Sequence, residues 1–112
     1  MPHHIRRRDG GLFAFAGIFD RWKDAAGTET RSFAIVTTAA DDLVAQIHNR
    51  MPVILEREQE EPWLATAPEK TDSLLKIVLC SREDAFEIYP VSRLVNWPKN
   101  DAPDLIRRLV AP

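Results

Sequence analysis

The sequence contains one cysteine and three histidines, and this scarcity limits the kinds of site it can build. Cys80 cannot form a disulfide within the chain, which fits a reducing compartment. A reactive thiol needs an exposed, electropositive setting, whereas Cys80 follows the apolar run LLKIVL, so we expect a buried structural thiol. Because no spacing of cysteine and histidine matches a zinc site, we predict neither a metal nor a cofactor.

Long apolar runs and an excess of basic charge are also missing. No segment is predicted to cross a membrane, and the opening MPHHIRRRDGG has no apolar h-region behind its basic residues, so we expect a cytoplasmic protein. The net charge of -2 excludes the strongly basic balance of a general nucleic-acid binder. Two local basic clusters, residues 6–8 and Arg21 with Lys23, could still bind phosphate, although a solvated terminal run is the preferred interpretation for residues 6–8.

A chain of 112 residues, 45% hydrophobic and 29% charged, is typical of one small globular domain. Short apolar segments predict an α+β fold with short, mostly antiparallel strands and a few flanking helices. The predicted strands cover residues 11–19, 31–40, 52–56 and 85–96, with a hairpin connection at 20–30. The predicted helices cover residues 38–48, 57–66, 71–81 and 101–110.

Several local details accompany this prediction. Asp41 or Asp42 is expected to cap the helix at 38–48, and Pro62 is expected near the start of its helix. The helix at 101–110 should carry basic residues in its last turn. The strand at 11–19 is apolar on both faces and is predicted to be buried. A strand of that kind needs neighbours on both sides, and the chain offers few.

The segment IHNRMP places an imidazole and a guanidinium two residues apart, just before a proline. Residues before proline favour an extended backbone, in which positions i and i+2 point to the same side. His48 and Arg50 are therefore predicted to face one site together, and neither is expected to be needed to hold a short turn.

Four segments of the sequence resemble one known family in order and spacing. They are FAFAGIFDRW, FAIVTTAADDLVAQIHNRMPVIL, WLA and YPVSRLVNWPKNDAPDLI. They resemble the C-terminal half of the SRAP family, the SOS response-associated peptidase domain, from about Ile5 onward. The resemblance implies a single truncated domain over residues 1–112, without the N-terminal half that carries the family's cysteine nucleophile. Position 2, where that cysteine lies in the family, is Pro2 here.

The resemblance implies chemistry on single-stranded DNA at abasic sites, where the opened sugar presents an aldehyde. The family's cysteine forms a Schiff base with its amine and closes a thiazolidine with its thiol, which leaves a covalent protein–DNA crosslink. A self-directed peptidase activity is also ascribed to the family. By resemblance, the present chain carries the acid–base and phosphate-binding half, is inactive alone, and needs a companion chain that supplies the N-terminal half.

The resemblance also assigns roles to individual residues. Ring opening and imine formation both require proton transfer, and a carboxylic acid together with a histidine can provide it. The positions of this sequence that match the family's acid and histidine are Asp20 and His48. Arg50 would hold a phosphate near the lesion. Thr37 would orient the substrate or His48, and Trp22 would either stack on a base or pack in the core.

Asp20 departs from the family, which has glutamate at this position. Aspartate is one methylene shorter, so its carboxyl reaches about 1.5 Å less far. Asp20 also suits the start of a turn, which is a purely structural role. Two alternatives to a crosslinking function therefore remain from the sequence: a non-catalytic module that binds single-stranded DNA or another partner, and a decayed fragment.

Overall fold

The computed structural model describes residues 1–65 and 85–110, so the helix predicted at 71–81, with Cys80, lies outside the described residues. Eight short strands form four antiparallel pairs in this part, which confirms the short antiparallel strands, and one α-helix accompanies them. The strands are β1 His3–Arg7, β2 Ala14–Phe15, β3 Gly17–Lys23, β4 Glu29–Ile35, β5 Thr37–Ala39, β6 Arg50–Pro52, β7 Ile54–Leu55 and β8 Phe86–Pro90. The α-helix, α1, covers Arg57–Ala65, and 3-10 helices cover Val44–Gln46, Arg93–Asn96 and Pro103–Ile106.

The described residues form two compact units, each with its own packing. The smaller unit contains Met1–Leu12 and residues 85–110, and the larger contains residues 13–65. In the smaller unit β1 pairs with β8. In the larger unit the pairs are β2 with β7, β3 with β4, and β5 with β6.

Three backbone hydrogen bonds join the strand pairs of the larger unit at one junction. Ala16 lies between β2 and β3, Val36 between β4 and β5, and Val53 between β6 and β7. The N–H of Ala16 donates to the carbonyl of Val53 at 2.8 Å, that of Val53 to Val36 at 2.9 Å, and that of Val36 to Ala16 at 2.9 Å. The three residues close a ring of hydrogen bonds, from which the three strand pairs extend as two-stranded arms.

The core of the larger unit surrounds this junction. Ala16 is completely buried, and Val53 and Leu55 are buried beside it. Val36 and Trp63, which are only partly buried, pack against these residues. Buried backbone groups need hydrogen-bond partners, and the ring supplies these partners where the regular ladders are interrupted.

The β3–β4 arm is a hairpin that is exposed along its whole length, so the prediction of a buried strand at 11–19 is wrong. The predicted hairpin connection is confirmed, although β3 continues into it as far as Lys23. Asp24 closes the turn, because its Oδ1 accepts the N–H groups of Ala26 and Thr28, both at 2.9 Å. Gly27 adopts a φ of 84°, a left-handed conformation that favours glycine.

The predicted strands at 31–40 and 52–56 are each interrupted by the residue that belongs to the hydrogen-bonded junction. The first is divided into β4 and β5 by Val36, and the second is represented by the end of β6 and β7, on either side of Val53. The strand predicted at 85–96 is confirmed as β8, but its second half is the 3-10 helix Arg93–Asn96.

The predicted helices are shorter than expected or begin elsewhere. At 38–48 only Val44–Gln46 is helical, and Asp41 Oδ1 accepts the N–H of Val44 at 2.9 Å, which confirms the capping role. Pro62 lies inside α1, not near its start, because the helix already begins at Arg57. At 101–110 the helix ends at Ile106, so the basic side chains that follow are outside it.

The solvated terminal run predicted at residues 6–8 is wrong for Arg6 and Arg7, which belong to β1 and pair with β8. Arg6 Nε lies 2.8 Å from Glu87 Oε1, an ion pair without hydrogen-bond geometry at Nε. Arg108 approaches the same carboxylate and lies over the Tyr89 ring at 4.3 Å. The opposite charge of Glu87 on the partner strand explains why Arg6 is held against β8.

Truncation of the buried Leu55 should destabilise the larger unit. Leu55 is 5% exposed and Leu12 is 92% exposed. We expect Leu55→Ala to lower the free energy of unfolding by about 2–5 kcal/mol through lost burial and a cavity, and Leu12→Ala by less than about 0.5 kcal/mol. Urea unfolding followed by circular dichroism measures both. Equal losses for the two variants would contradict this placement of the core.

Candidate functional site

The His48 side chain folds over the turn that leads into β6. His48 itself precedes the strand, and its backbone N–H donates to Val44 O at 2.9 Å. The imidazole Nδ1 lies 3.0 Å from both the backbone N and the backbone O of Arg50. The expectation that neither residue is needed to hold a turn is therefore wrong for His48, because its imidazole hydrogen-bonds to the backbone of Arg50, the residue that begins β6.

This contact determines which ring nitrogen is available for chemistry. Nδ1 faces the backbone of Arg50 in either tautomer, because it can accept the Arg50 N–H or donate to the Arg50 carbonyl, both at 3.0 Å. Nε2 makes no hydrogen bond to the described residues, and His48 is exposed, so this nitrogen can exchange a proton with a bound molecule.

The Arg50 side chain is tethered to the neighbouring strand. Arg50 is opposite Ala39 in the β5–β6 register, and Thr37 is its diagonal neighbour on the same side. Arg50 Nη2 donates to Thr37 Oγ1 at 3.0 Å, and both residues are exposed. The remaining guanidinium N–H groups can donate to an anion, for which the fork geometry of arginine is well suited.

Asp20 and Trp22 lie on a different arm, the β3–β4 hairpin. They are two positions apart on β3, so both side chains point to the same side of the hairpin. On β4, Ser32 lies directly opposite Asp20 and Thr30 directly opposite Trp22. Asp20 Oδ1 accepts the N–H of Arg21 at 2.8 Å, which leaves its second oxygen outside that contact. Trp22 is exposed, so the packing alternative for this side chain is not realised in the described part of the chain.

The structure thus links three of the five predicted site residues. Hydrogen bonds connect His48 to Arg50 and Arg50 to Thr37. Within residues 1–65 and 85–110, no hydrogen bond or ion pair joins this trio to Asp20 or Trp22. Both sets lie close to the junction, since Thr37 follows Val36 directly, Arg50 precedes Val53 by three residues, and Asp20 follows Ala16 by four.

Trp63 is a structural contact that the sequence interpretation did not identify. Its indole Nε1–H donates to the Gly17 carbonyl at 2.8 Å, which attaches α1 to the first residue of β3. Beside this contact is an open, largely apolar cavity of about 320 Å³, with Glu60 as its ionisable side chain. Because Gly17 lies 46 positions away in the chain, no local periodic pattern around Trp63 points to this contact.

No described helix has both the length and the apolar character needed to cross a membrane. Within the same residues, no three His, Cys, Asp or Glu side chains come together in a way that could hold a metal ion.

Comparison with known proteins shows where the chain belongs. The model of the SOS response associated peptidase (SRAP) family matches residues 1–98. The abasic site processing protein YoqW of Bacillus subtilis is 40% identical over 106 residues, which cover 95% of this chain and 47% of that protein. YedK of Escherichia coli, also named an abasic site processing protein, is 34% identical over 96% of this chain and 48% of its own length.

Another relative and a solved structure point to the same family. The abasic site processing protein HMCES of Gallus gallus is 37% identical over 85% of this chain and 28% of that protein. A crystal structure of a Bacteroides thetaiotaomicron protein superposes with a TM-score of 0.80 at 30% identity, over 97% of this chain and 48% of that one. The chain spans about half the length, or less, of these relatives. Its match to the family model over residues 1–98 shows that it belongs to the SRAP family.

Proposed function

We propose that this chain provides the acid–base and phosphate-binding part of an SRAP domain that binds single-stranded DNA at abasic sites and crosslinks to them. The nucleophilic cysteine comes from the part of the domain that this chain does not span, on the same or a separate polypeptide. One observation carries the proposal. The hydrogen-bonded set of His48, Arg50 and Thr37 exposes a titratable nitrogen and a guanidinium side by side, in a chain whose relatives are named for abasic site processing.

His48 transfers protons at the reacting sugar carbon. Opening of the abasic sugar moves a proton from the C1′ hydroxyl to the ring oxygen and gives an aldehyde. The amine of the cysteine adds to this aldehyde and expels water as the imine forms, and the thiol then adds to the imine carbon. Each step needs a group that gives and takes a proton at one place, and the Nε2 of His48 is free of other hydrogen bonds in the described part of the chain.

Arg50 binds the phosphate next to the lesion. Its guanidinium is held by Thr37 and retains further donors, so a phosphate can accept two hydrogen bonds without a large loss of side-chain freedom. Because the backbone of Arg50 also positions the His48 ring, the phosphate contact and the proton-transfer group share one rigid support. Phosphate binding thereby places the sugar within reach of the imidazole.

Asp20 and Trp22 contribute from the neighbouring arm. Asp20 has a carboxylate oxygen outside its contact with Arg21, and it serves as the second acid–base group. Exposed Trp22 lies two residues further on the same side of β3 and offers a stacking surface for an unpaired base. The two arms enclose the DNA when the rest of the domain completes the site.

The covalent step is tested with single-stranded DNA that carries one abasic site. We mix the chain with the part of the Bacillus subtilis relative that it does not span and measure adducts on denaturing gels. We expect adducts from the mixture and none from this chain alone. His48→Asn keeps an acceptor near the Nδ1 position and removes Nε2, so it should slow adduct formation by about 10²-fold.

Two variants separate chemistry from turn structure in this assay. His3→Gln, in the smaller unit, should leave the rate unchanged. His48→Ala, which also loses the turn contact, should be at least as slow as His48→Asn. An unaltered rate for both position 48 variants would refute the assigned role. Binding of the DNA without an adduct would instead support a non-catalytic single-strand-binding module.

The phosphate contact is tested by the salt dependence of DNA affinity. Neutralisation of one phosphate contributes a slope of about -0.7 in log K against log salt for single strands. In the reconstituted domain, we expect Arg50→Gln to weaken binding and to reduce the slope by about this amount, as measured by fluorescence anisotropy. Arg93→Gln, an exposed arginine on the smaller unit, is the control. Equal slopes for wild type and Arg50→Gln would exclude the contact.

A further inference from the structure

The β3–β4 hairpin has two chemically different faces. Side chains alternate along a strand, and directly paired residues of antiparallel strands point to the same side. One face carries Asp20 and Trp22 with hydroxyl partners on β4, and it belongs to the proposed site. The other face, here called the aromatic face, is formed by the register pairs Gly17 with Ile35, Phe19 with Phe33, Arg21 with Arg31, and Lys23 with Glu29.

The centre of the aromatic face is apolar and open. Phe19 and Phe33 are paired across the strands, and each is 80% exposed. Ile35 extends the apolar surface toward the junction and is also exposed. A two-stranded ribbon is only marginally stable in water, and a contiguous exposed apolar patch marks an interaction surface. Nothing in the described larger unit covers these two rings.

The tip of the aromatic face is basic. Arg21 and Arg31 share one carboxylate, that of Glu29, at 3.8 Å and 3.7 Å. These distances are too long for hydrogen bonds, so the guanidinium donors remain available to another group. With Lys23, three positive charges and one negative charge leave a surplus of two positive charges (3 - 1 = 2). A complementary surface therefore places apolar side chains opposite the rings and carboxylates opposite the tip.

The occupant is indicated by the relation to longer proteins. A solved structure contains the fold of this chain at a TM-score of 0.80, yet this chain covers only 48% of it. We infer that the aromatic face is the surface on which the remaining part of the SRAP domain docks, through apolar side chains against Phe19 and Phe33 and acidic ones against the basic tip. The inference rests on the proposed function, which assigns the opposite face to DNA.

The experiment measures assembly without DNA. The chain is titrated with the part of the Bacillus subtilis relative that it does not span, and the complex is followed by sedimentation velocity and calorimetry. We expect a one-to-one complex. Phe33→Ser should raise Kd by about 10- to 30-fold, as for an aromatic anchor of an interface, and Phe19→Ser should act similarly. Circular dichroism checks that each variant stays folded.

A matched substitution on the opposite face is the control. Ile18→Ser removes an exposed aliphatic side chain from the side of Asp20 and should change Kd by less than about 3-fold. Joining the two parts in one polypeptide raises their effective concentration, so it should restore adduct formation to Phe33→Ser but not to His48→Asn. This rescue separates docking from chemistry.

The possible outcomes distinguish the two proposals. An unchanged Kd for Phe33→Ser, or no complex at all, overturns the docking inference. A Phe33-dependent dimer of this chain alone would make a second copy the occupant. A Phe33→Ser loss of affinity for an undamaged oligothymidylate would make the face a nucleic-acid surface, and either result overturns the inference. A Phe33-dependent complex that forms no adduct on abasic DNA would leave docking intact and contradict the proposed chemistry.

Discussion

The ring of hydrogen bonds through Ala16, Val36 and Val53 is the constraint on which the larger unit depends. Each residue interrupts a segment that would otherwise be one strand, and each donates to the next and accepts from the previous one. The three strand pairs can therefore diverge from one point without leaving buried backbone groups unsatisfied. Complete burial of Ala16 and burial of Val53 keep water from competing for these bonds.

The junction also determines where the predicted site residues lie along their strands. Arg50 on β6, Thr37 on β5 and Asp20 on β3 are each within four residues of a residue of the ring. The imidazole and the guanidinium are further fixed to one another by the backbone of Arg50. One tight turn and one cross-strand hydrogen bond thus suffice to orient the imidazole and the guanidinium without a large core.

The same architecture leaves the β3–β4 hairpin with its rings exposed. In our proposal, the aromatic face of this hairpin binds the rest of the domain, and the opposite face, which carries both polar and aromatic side chains, binds DNA. This division agrees with the length comparison, in which the chain accounts for about half of its bacterial relatives. In our proposal the hairpin is the element that connects the two halves of the domain and carries Asp20 to the DNA.

The sequence predicted that the strands are short and antiparallel, the hairpin at 20–30, the cap by Asp41 and the proximity of His48 to Arg50, because these features follow from local patterns. It did not predict the interruptions at Val36 and Val53, since a valine at a junction has the same local signature as one within a strand. The prediction that the strand at 11–19 is buried was wrong for a related reason. Apolarity indicates that Phe19 needs a neighbour, but does not say which polypeptide supplies it.

Strand β1 and the Trp63–Gly17 contact were missed because both depend on partners far away in the chain. The arginines of β1 have the composition of a solvated run, and for Arg6 the carboxylate that holds it is Glu87, on a strand far away in the sequence. The predicted site residues came from the family resemblance, since spacing alone could not connect Asp20 with His48. Their roles in the reaction remain proposals that rest on chemistry and on the hydrogen-bonded trio.

Amide hydrogen exchange tests the central role of the junction most directly. If the ring organises the larger unit, the amides of Ala16, Val36 and Val53 should exchange only through global unfolding, with protection that matches the free energy of unfolding. Amides in the exposed β3–β4 hairpin should exchange through local opening at lower cost. Junction amides that exchange as readily as those of the hairpin would contradict this account.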